Sequence, residues 1–277
     1  MYFFRFFFII SIYLMSSLYA SRIWGVIAKD QNKLYSDYKI IYKQLLEFQL
    51  QGNLGNYHDW PYNSDDGWGI VKYSNFMLED HENVHSEITA IQDDQFLNEI
   101  HSILNPENDY KIAFGHVRNA TTGSVSIPNP HPFTFNINDK TYSFAHNGTI
   151  DKSGLLYLLT EENLDSTWIN NNPPNSYHCG DWLSSGFDCV VDSELYFYWI
   201  IKNILEEGDD YRGIIKALHQ LENYTFEIDD INGEQRNFIL TNGSEIFAYK
   251  SSDDIHEELR YELYYRSFQN HFSIMST

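Results

Sequence analysis

Positive charge is what this chain most lacks. Its 277 residues hold 18 Lys and Arg against 39 Asp and Glu, a formal charge of −21 at pH 7. A surface this acidic repels nucleic acid and anionic lipid, which excludes both as expected partners. Any anionic small molecule would have to be caught by a local cationic side chain. Cysteine is nearly absent as well: Cys179 and Cys189 stand ten positions apart in a stretch rich in Gly, Asn and Pro. In an oxidising compartment the two could pair, closing a short loop worth about 2–3 kcal/mol; two free thiols are the alternative. Glycine and proline nowhere gather into a linker, no internal repeat is present, and no Gly-rich phosphate loop occurs. The chain therefore reads as one domain, long enough to bury a large core.

Metal-ligand spacing is missing too. His81 and His85 are four apart in EDHENVHSE (79–87), a clamp only if the stretch is helical. It has no apolar face and reads as a solvated acidic loop. The pairs Asp65-Asp66, Asp93-Asp94, Asp209-Asp210, Asp229-Asp230 and Asp253-Asp254 sit at helix starts or turns, where carboxylates are favoured. No metal and no cofactor is expected.

The chain has one long apolar run, at its start. In MYFFRFFFIISIYLMSSLYA (1–20) Arg5 precedes Phe6 to Met15, followed by Ser16, Ser17 and Ala20. A short positive region, a hydrophobic core of about 7–15 residues and a small residue at the cut are the parts of a secretory signal peptide. Cleavage after Ala20 would leave a secreted or periplasmic protein of 257 residues beginning at Ser21, with no stable membrane association. An uncleaved membrane anchor is the alternative, although the 16 residues between Arg5 and Arg22 fall short of the roughly 20 that span a bilayer as helix.

Aromatic residues are abundant, with 21 Tyr and 19 Phe, which suits a strand-rich, well-packed fold. Strands are expected at Arg22–Lys29, Gly67–Tyr73, Lys111–Arg118, Thr141–Ala145, Tyr224–Asp230, Arg236–Thr241 and Glu245–Lys250. Asn232-Gly233 and Asn242-Gly243 supply turns between the last three. Apolar residues spaced three to four apart predict a helix capped by Ser36, a second around Phe96–Leu104 stopped at Asn105-Pro106, and two more over Ser193–Glu206 and Tyr211–Leu221. Strands at both ends with helices inserted in pairs make the fold class α+β rather than a parallel-sheet nucleotide binder.

Three motifs carry chemistry: GHVRNATTG (115–123), PNPHPF (128–133) and FAHNGTI (144–150). Arg118 at a strand end offers a planar fork for a carboxylate. Thr121, Thr122 and Gly123 form a polar turn beside it. Asn147-Gly148 supplies a side-chain amide and an unobstructed backbone N–H, the donor pair an oxyanion hole needs.

Together, in this order, these motifs resemble the class II glutamine amidotransferase domain, an N-terminal-nucleophile hydrolase. The likeness extends from Ser21-Arg-Ile-Trp-Gly25 through DGWGI (66–70) to Val191-Asp-Ser-Glu194. It implies a four-layer αββα sandwich over residues 21–277. It also implies that Arg118 binds the α-carboxylate of a glutamine-like substrate and that Thr121 lines the same pocket. Asp192 would pair with the α-ammonium, Asn147 and Gly148 would hold the oxyanion, and His131 would stand behind the pocket. The family nucleophile is the first residue of the mature chain, ordinarily cysteine; here Ser21 aligns with it. A serine hydroxyl needs a base, and a free α-amine with a pKa of about 7.7–8.0 can serve.

The expected activity is hydrolysis of the side-chain amide of glutamine or a γ-glutamyl compound. Simple hydrolysis is expected rather than delivery of ammonia to a synthase domain, with ammonia transfer to a separate partner as the other route. A relative that binds such a ligand without turnover is the alternative.

Overall fold

The side chains of β1 (Arg22–Ala28) alternate between two buried surfaces, Ile23 toward one and Trp24 and Val26 toward the other. That two-sided burial sets the architecture. The computed structural model describes residues 21–29, 33–51, 66–74, 77–84, 90–118, 131–176, 181–223, 235–251 and 263–276. After β1 come α1 (Tyr38–Gln51), β2 (Trp68–Ser74), β3 (Met77–Val84), α2 (Asp94–Ile103), β4 (Ile112–Val117), β5 (Phe133–Ile137) and β6 (Lys140–Asn147). Then follow α3 (Lys152–Leu159), α4 (Thr167–Asn171), α5 (Asp192–Glu207), α6 (Asp210–Asn223), β7 (Asn237–Thr241), β8 (Ile246–Tyr249), β9 (Leu263–Ser267) and β10 (His271–Ser276). The fold is α+β with two antiparallel sheets, ordered β3-β2-β4-β1-β10-β9 and β5-β6-β7-β8.

The chain divides into two compact units: one holds both sheets with α1 and α2, the other holds α3 to α6. In the first unit the two sheets pack face to face. Ile23, Val71, Tyr73, Ile112 and Phe114 meet Ala145 and Ile239. Gly25 is small because a Cβ there would lie 3.2 Å from Ile239 Cδ1. The opposite face of the larger sheet is covered by Ile41, Leu45 and Phe48 of α1 and Phe96, Ile100 and Ile103 of α2. The aromatic abundance is spent here, in a chain of ring contacts running Trp24–Phe48–Phe96–Trp68. Asp93 serves twice, accepting the indole N–H of Trp68 at 2.9 Å and capping α2 through Gln95 N at 2.9 Å.

In the second unit α5 is buried along nearly its whole length and crosses α6 closely. At Gly213 a Cβ would fall 2.4 Å from Ile204 Cα, so only glycine permits that approach. Cys189 is disulfide-bonded; the sequence's other cysteine, Cys179, lies outside the described residues, as do residues 1–20 and the strand expected at Tyr224–Asp230.

Two expectations are corrected. Ser36 does not cap α1: its hydroxyl donates to Lys33 O at 2.6 Å within a 3₁₀ turn, Leu34–Asp37, that precedes the helix. The acidic stretch around His81 is not a loop but β3, an edge strand whose charges suit an edge. Asp80 of β3 meets the fully buried ammonium of Lys72 at 2.6 Å, and Glu99 of α2 meets it at 2.5 Å. Burial alone would lower the Lys72 pKa, but hydrogen bonds to Asp80 and Glu99 outweigh it and hold the ammonium above the usual lysine range.

Removing one partner of this cluster strands a buried charge. Lys72→Met is expected to cost about 3–5 kcal/mol in urea unfolding, and adding Glu99→Leu to recover most of that loss. An unchanged midpoint for Lys72→Met would show that the pair contributes nothing.

Candidate active site

The candidate site begins with the ladder between β1 and β4. Arg22 pairs with Val117, Ile23 with His116 and Trp24 with Gly115. The ladder ends at that Arg22–Val117 pair; continued by one residue, its register would bring Ser21 opposite Arg118. Strand alternation, if continued, would turn both toward the second sheet, where Ile23, Phe114 and Ile112 point. Arg118 is 2% exposed, and its backbone N–H bonds Gly67 O at 2.8 Å, so the DGWGI turn fixes the strand end that carries it. On the other side of β1, β10 pairs with it from Trp24 to Ala28, and Ile23 N–H donates to Ser276 Oγ at 2.7 Å.

The second sheet brings β6 to the same end. Tyr73 OH touches Thr141 O at 3.0 Å and Ser143 Oγ at 2.5 Å, while Gly25 meets Ile239, the partner of Ala145. Farther along, His116 lies beside the backbone of His146. Asn147, the last residue of β6, thus emerges at the end of the sandwich where β1 begins and β4 stops. Its side chain is 0% exposed, and neither its Nδ2 nor its Oδ1 has a hydrogen-bond partner among the described residues. A buried amide left unpaired costs about 1–3 kcal/mol. Such a group is suited to a ligand that completes it.

Gly148 is required by close approach. A Cβ there would fall 2.1 Å from Gln235 O and 2.7 Å from its carbonyl carbon. His146 Nε2–H donates to that same carbonyl at 2.8 Å, which sets the ring's tautomer. Asn237 pairs with Asn147, and its Oδ1 accepts from Ser251 N at 2.8 Å. Gln235, Arg236 and Asn237 are all buried, and they back the Asn147-Gly148 turn. Sequence reasoning missed this support. Its only local signal was the strand beginning at Arg236.

His131 feels the charge of Arg118, and its ring packs at a 57° tilt against that of His116, which the motifs alone do not single out; their ring centroids are 4.2 Å apart. Both rings are fully buried; the His131 nitrogens have no hydrogen-bond partner among the described residues, and His116 has only the backbone of His146 nearby. Burial first, then the neighbouring Arg118 charge, pushes the His116 pKa well below the usual histidine range. Burial, His116 and Arg118 do the same for His131. Both rings are neutral at pH 7, which leaves Arg118 the cation beside them.

Thr121 lies outside the described residues. Asp192 belongs to the second unit, as the first residue of α5, and is 2% exposed. Its Oδ2 accepts from Ile150 N at 2.9 Å and its Oδ1 from Ser193 N at 2.9 Å. Among the described residues no group of three or more His, Cys, Asp or Glu side chains is placed to hold a metal.

Residues 45–160 match the model of the family described as glutamine amidotransferases class-II, a span that includes Arg118, Thr121, His131, Asn147 and Gly148. An uncharacterized protein of Methanocaldococcus jannaschii is 29% identical over 125 residues, 40% of this chain and 35% of its own length. The chain thus spans about a third of that relative. Among solved structures, a crystal structure described as a predicted glutamine amidotransferase from Pseudomonas aeruginosa covers 93% of this chain and 80% of its own, at 14% identity and a TM-score of 0.40.

The histidine pair sets a pH dependence. Between the unfolded value of 6.5 and the depressed folded values, the unfolded chain binds protons that the folded one refuses. Stability is therefore full above that window and falls as pH drops through it, by up to about 1.4 kcal/mol per pH unit for each ring. Urea unfolding at pH 7.5 and 5.5 should show the loss, and His116→Gln with His131→Gln should flatten it. An equal slope in that double variant would contradict the assignment.

Proposed function

We propose that this chain, which carries a class II glutamine amidotransferase domain over its matched residues, is an exported amidohydrolase. It cleaves the side-chain amide of glutamine or a γ-glutamyl compound through an N-terminal serine. The domain is proposed to span 21–277 as a four-layer αββα sandwich of the N-terminal-nucleophile type, with residues 1–20 removed on export. The observation that carries the reading is the amide of Asn147, buried and without a hydrogen-bond partner among the described residues, at the sheet end where β1 begins. The disulfide at Cys189 supports an oxidising destination.

In this reaction the α-amine of Ser21 takes the proton from Ser21 Oγ as that oxygen attacks the side-chain carbonyl carbon. Charge develops on the carbonyl oxygen, and Asn147 Nδ2–H and Gly148 N–H hold it. A neutral amide waiting without a partner needs little reorganisation to take up that charge. The intermediate collapses, the C–N bond breaks, and the proton held by the α-ammonium passes to the leaving nitrogen. Ammonia or an amine departs and a glutamyl ester of Ser21 remains. Water, deprotonated by the same amine, attacks the ester, and glutamate leaves. Arg118 binds the α-carboxylate, Thr121 lines its pocket, and Asp192 receives the α-ammonium. His131, with His116, keeps the ground behind the guanidinium neutral. An acidic protein thereby captures a zwitterion with one arginine and one aspartate.

A second reading is favoured by one residue, the serine where the family carries cysteine: a relative that binds glutamine without hydrolysing it. Protein starting at Ser21 separates the two. Glutamate release from glutamine or γ-glutamyl amides is expected, with a loss of roughly a thousandfold or more in Ser21→Ala. Arg118→Lys is expected to raise KM by roughly tenfold to a hundredfold, because a point charge replaces a fork. Calorimetric binding of glutamine with no release would establish the binder instead, and neither binding nor release would end both readings.

A further inference from the structure

The second unit contains a buried carboxylate that the reaction above does not use. Glu194, two residues after Asp192 on α5, is 2% exposed, and its two oxygens reach backward in the chain. Oε1 accepts from Asn175 N at 2.8 Å and Oε2 from Ser176 N at 2.8 Å. Tyr198 OH, one turn along the helix, donates to Oε1 at 3.2 Å. A carboxylate is costly to bury, so three donors on one group mark a position where the chain must be held.

What is held is the start of α5. The first turn of a helix leaves backbone N–H groups without partners, and Val191, at the N-cap, caps nothing with its own side chain. Instead Ser176 Oγ accepts from Val191 N at 3.0 Å. Glu194 in turn holds the backbone of Ser176 by accepting from its N–H. Asp192 follows Val191 directly, and its carboxylate is tied to Ile150 N and Ser193 N. At the far side of the same segment, Lys152 Nζ donates to Phe187 O at 2.9 Å and Asp188 O at 3.0 Å. A carboxylate thus holds the amides of Asn175 and Ser176, and an ammonium holds the carbonyls of Phe187 and Asp188.

We propose that Glu194 is a positioning residue for Asp192, acting through Ser176 to fix the first turn of α5 and with it the carboxylate that receives the substrate's α-ammonium. This rests on the proposed amidohydrolase reading. It predicts selectivity: loss of Glu194 hurts only substrates that carry the ammonium.

The test compares L-glutamine with glutaramate, which keeps the carboxylate and the side-chain amide but has no α-amine. Glu194→Gln keeps size but places an N–H₂ against one of two backbone N–H groups. It is expected to lower kcat/KM for glutamine on the order of tenfold to a hundredfold, mostly through KM, while glutaramate turnover stays that of the parent. Ser176→Ala, which removes the link and leaves Glu194 in place, should show the same split if Glu194→Gln fails to fold by thermal melting. Equal losses on both substrates, or none on either, with the parent active would overturn the role of Glu194 and leave the amidohydrolase reading standing. A parent that hydrolyses neither substrate would overturn both.

Discussion

The backbone ladder that holds β1 between β4 and β10 is the constraint on which the candidate site depends. Chain termini fray unless tied down, and the terminal nucleophile proposed at Ser21 would inherit that problem. Here the strand directly after Ser21 is paired on both edges and buried on both faces. Its register against β4 runs from Arg22–Val117 to Ile27–Ile112, and the bond from Ile23 N to Ser276 adds an anchor within two residues of Ser21. The proposed pairing of a hydroxyl and an amine on Ser21 requires a backbone that is held in place. This ladder supplies that rigidity.

The same region tolerates polar groups that a plain core would reject. Asn147 and His131 are buried with side-chain atoms that find no partner among the described residues, and buried His116 has only the backbone of His146 nearby. Each is a cost to folding. Their placement bears on the tolerance: Asn147 sits at a strand end, and the two neutral rings pack on each other within reach of the Arg118 charge. Gly148, pressed against Gln235, completes a turn whose shape depends on β7 as well as on its own sequence.

How legible was this in the sequence? The residues at strand ends were, because GHVRNATTG and FAHNGTI each pack several chemical types into one short stretch. The strands β1, β2, β4, β6, β7 and β8 and the helices α1, α2, α5 and α6 follow from local periodicity, and the structure places them within a few residues of expectation. β9 and β10 were not legible. Their alternation is polar and short, and β10 is a strand because it pairs with β1, some 250 positions away, which no local pattern encodes. β3 was misread for a related reason: its charges look like solvent-facing loop until Lys72 claims Asp80. The helix α3 is brief and contains Gly154, yet Asp151 accepting from Ser153 N and Gly154 N is a capping signal that a closer reading would find. The support from Gln235 to Asn237, and the link from Glu194 to Ser176, are contacts between distant positions and needed the fold.

The account's central claim is that Ser21 Oγ forms the bond to the glutamyl carbon. Intact and peptide mass measurement of chain starting at Ser21, acid-quenched during turnover of a γ-glutamyl ester, tests it most directly. The account predicts one glutamyl group, carried on the residue 21 side chain. A turning-over protein with no adduct there, or with the adduct on another residue, would contradict it.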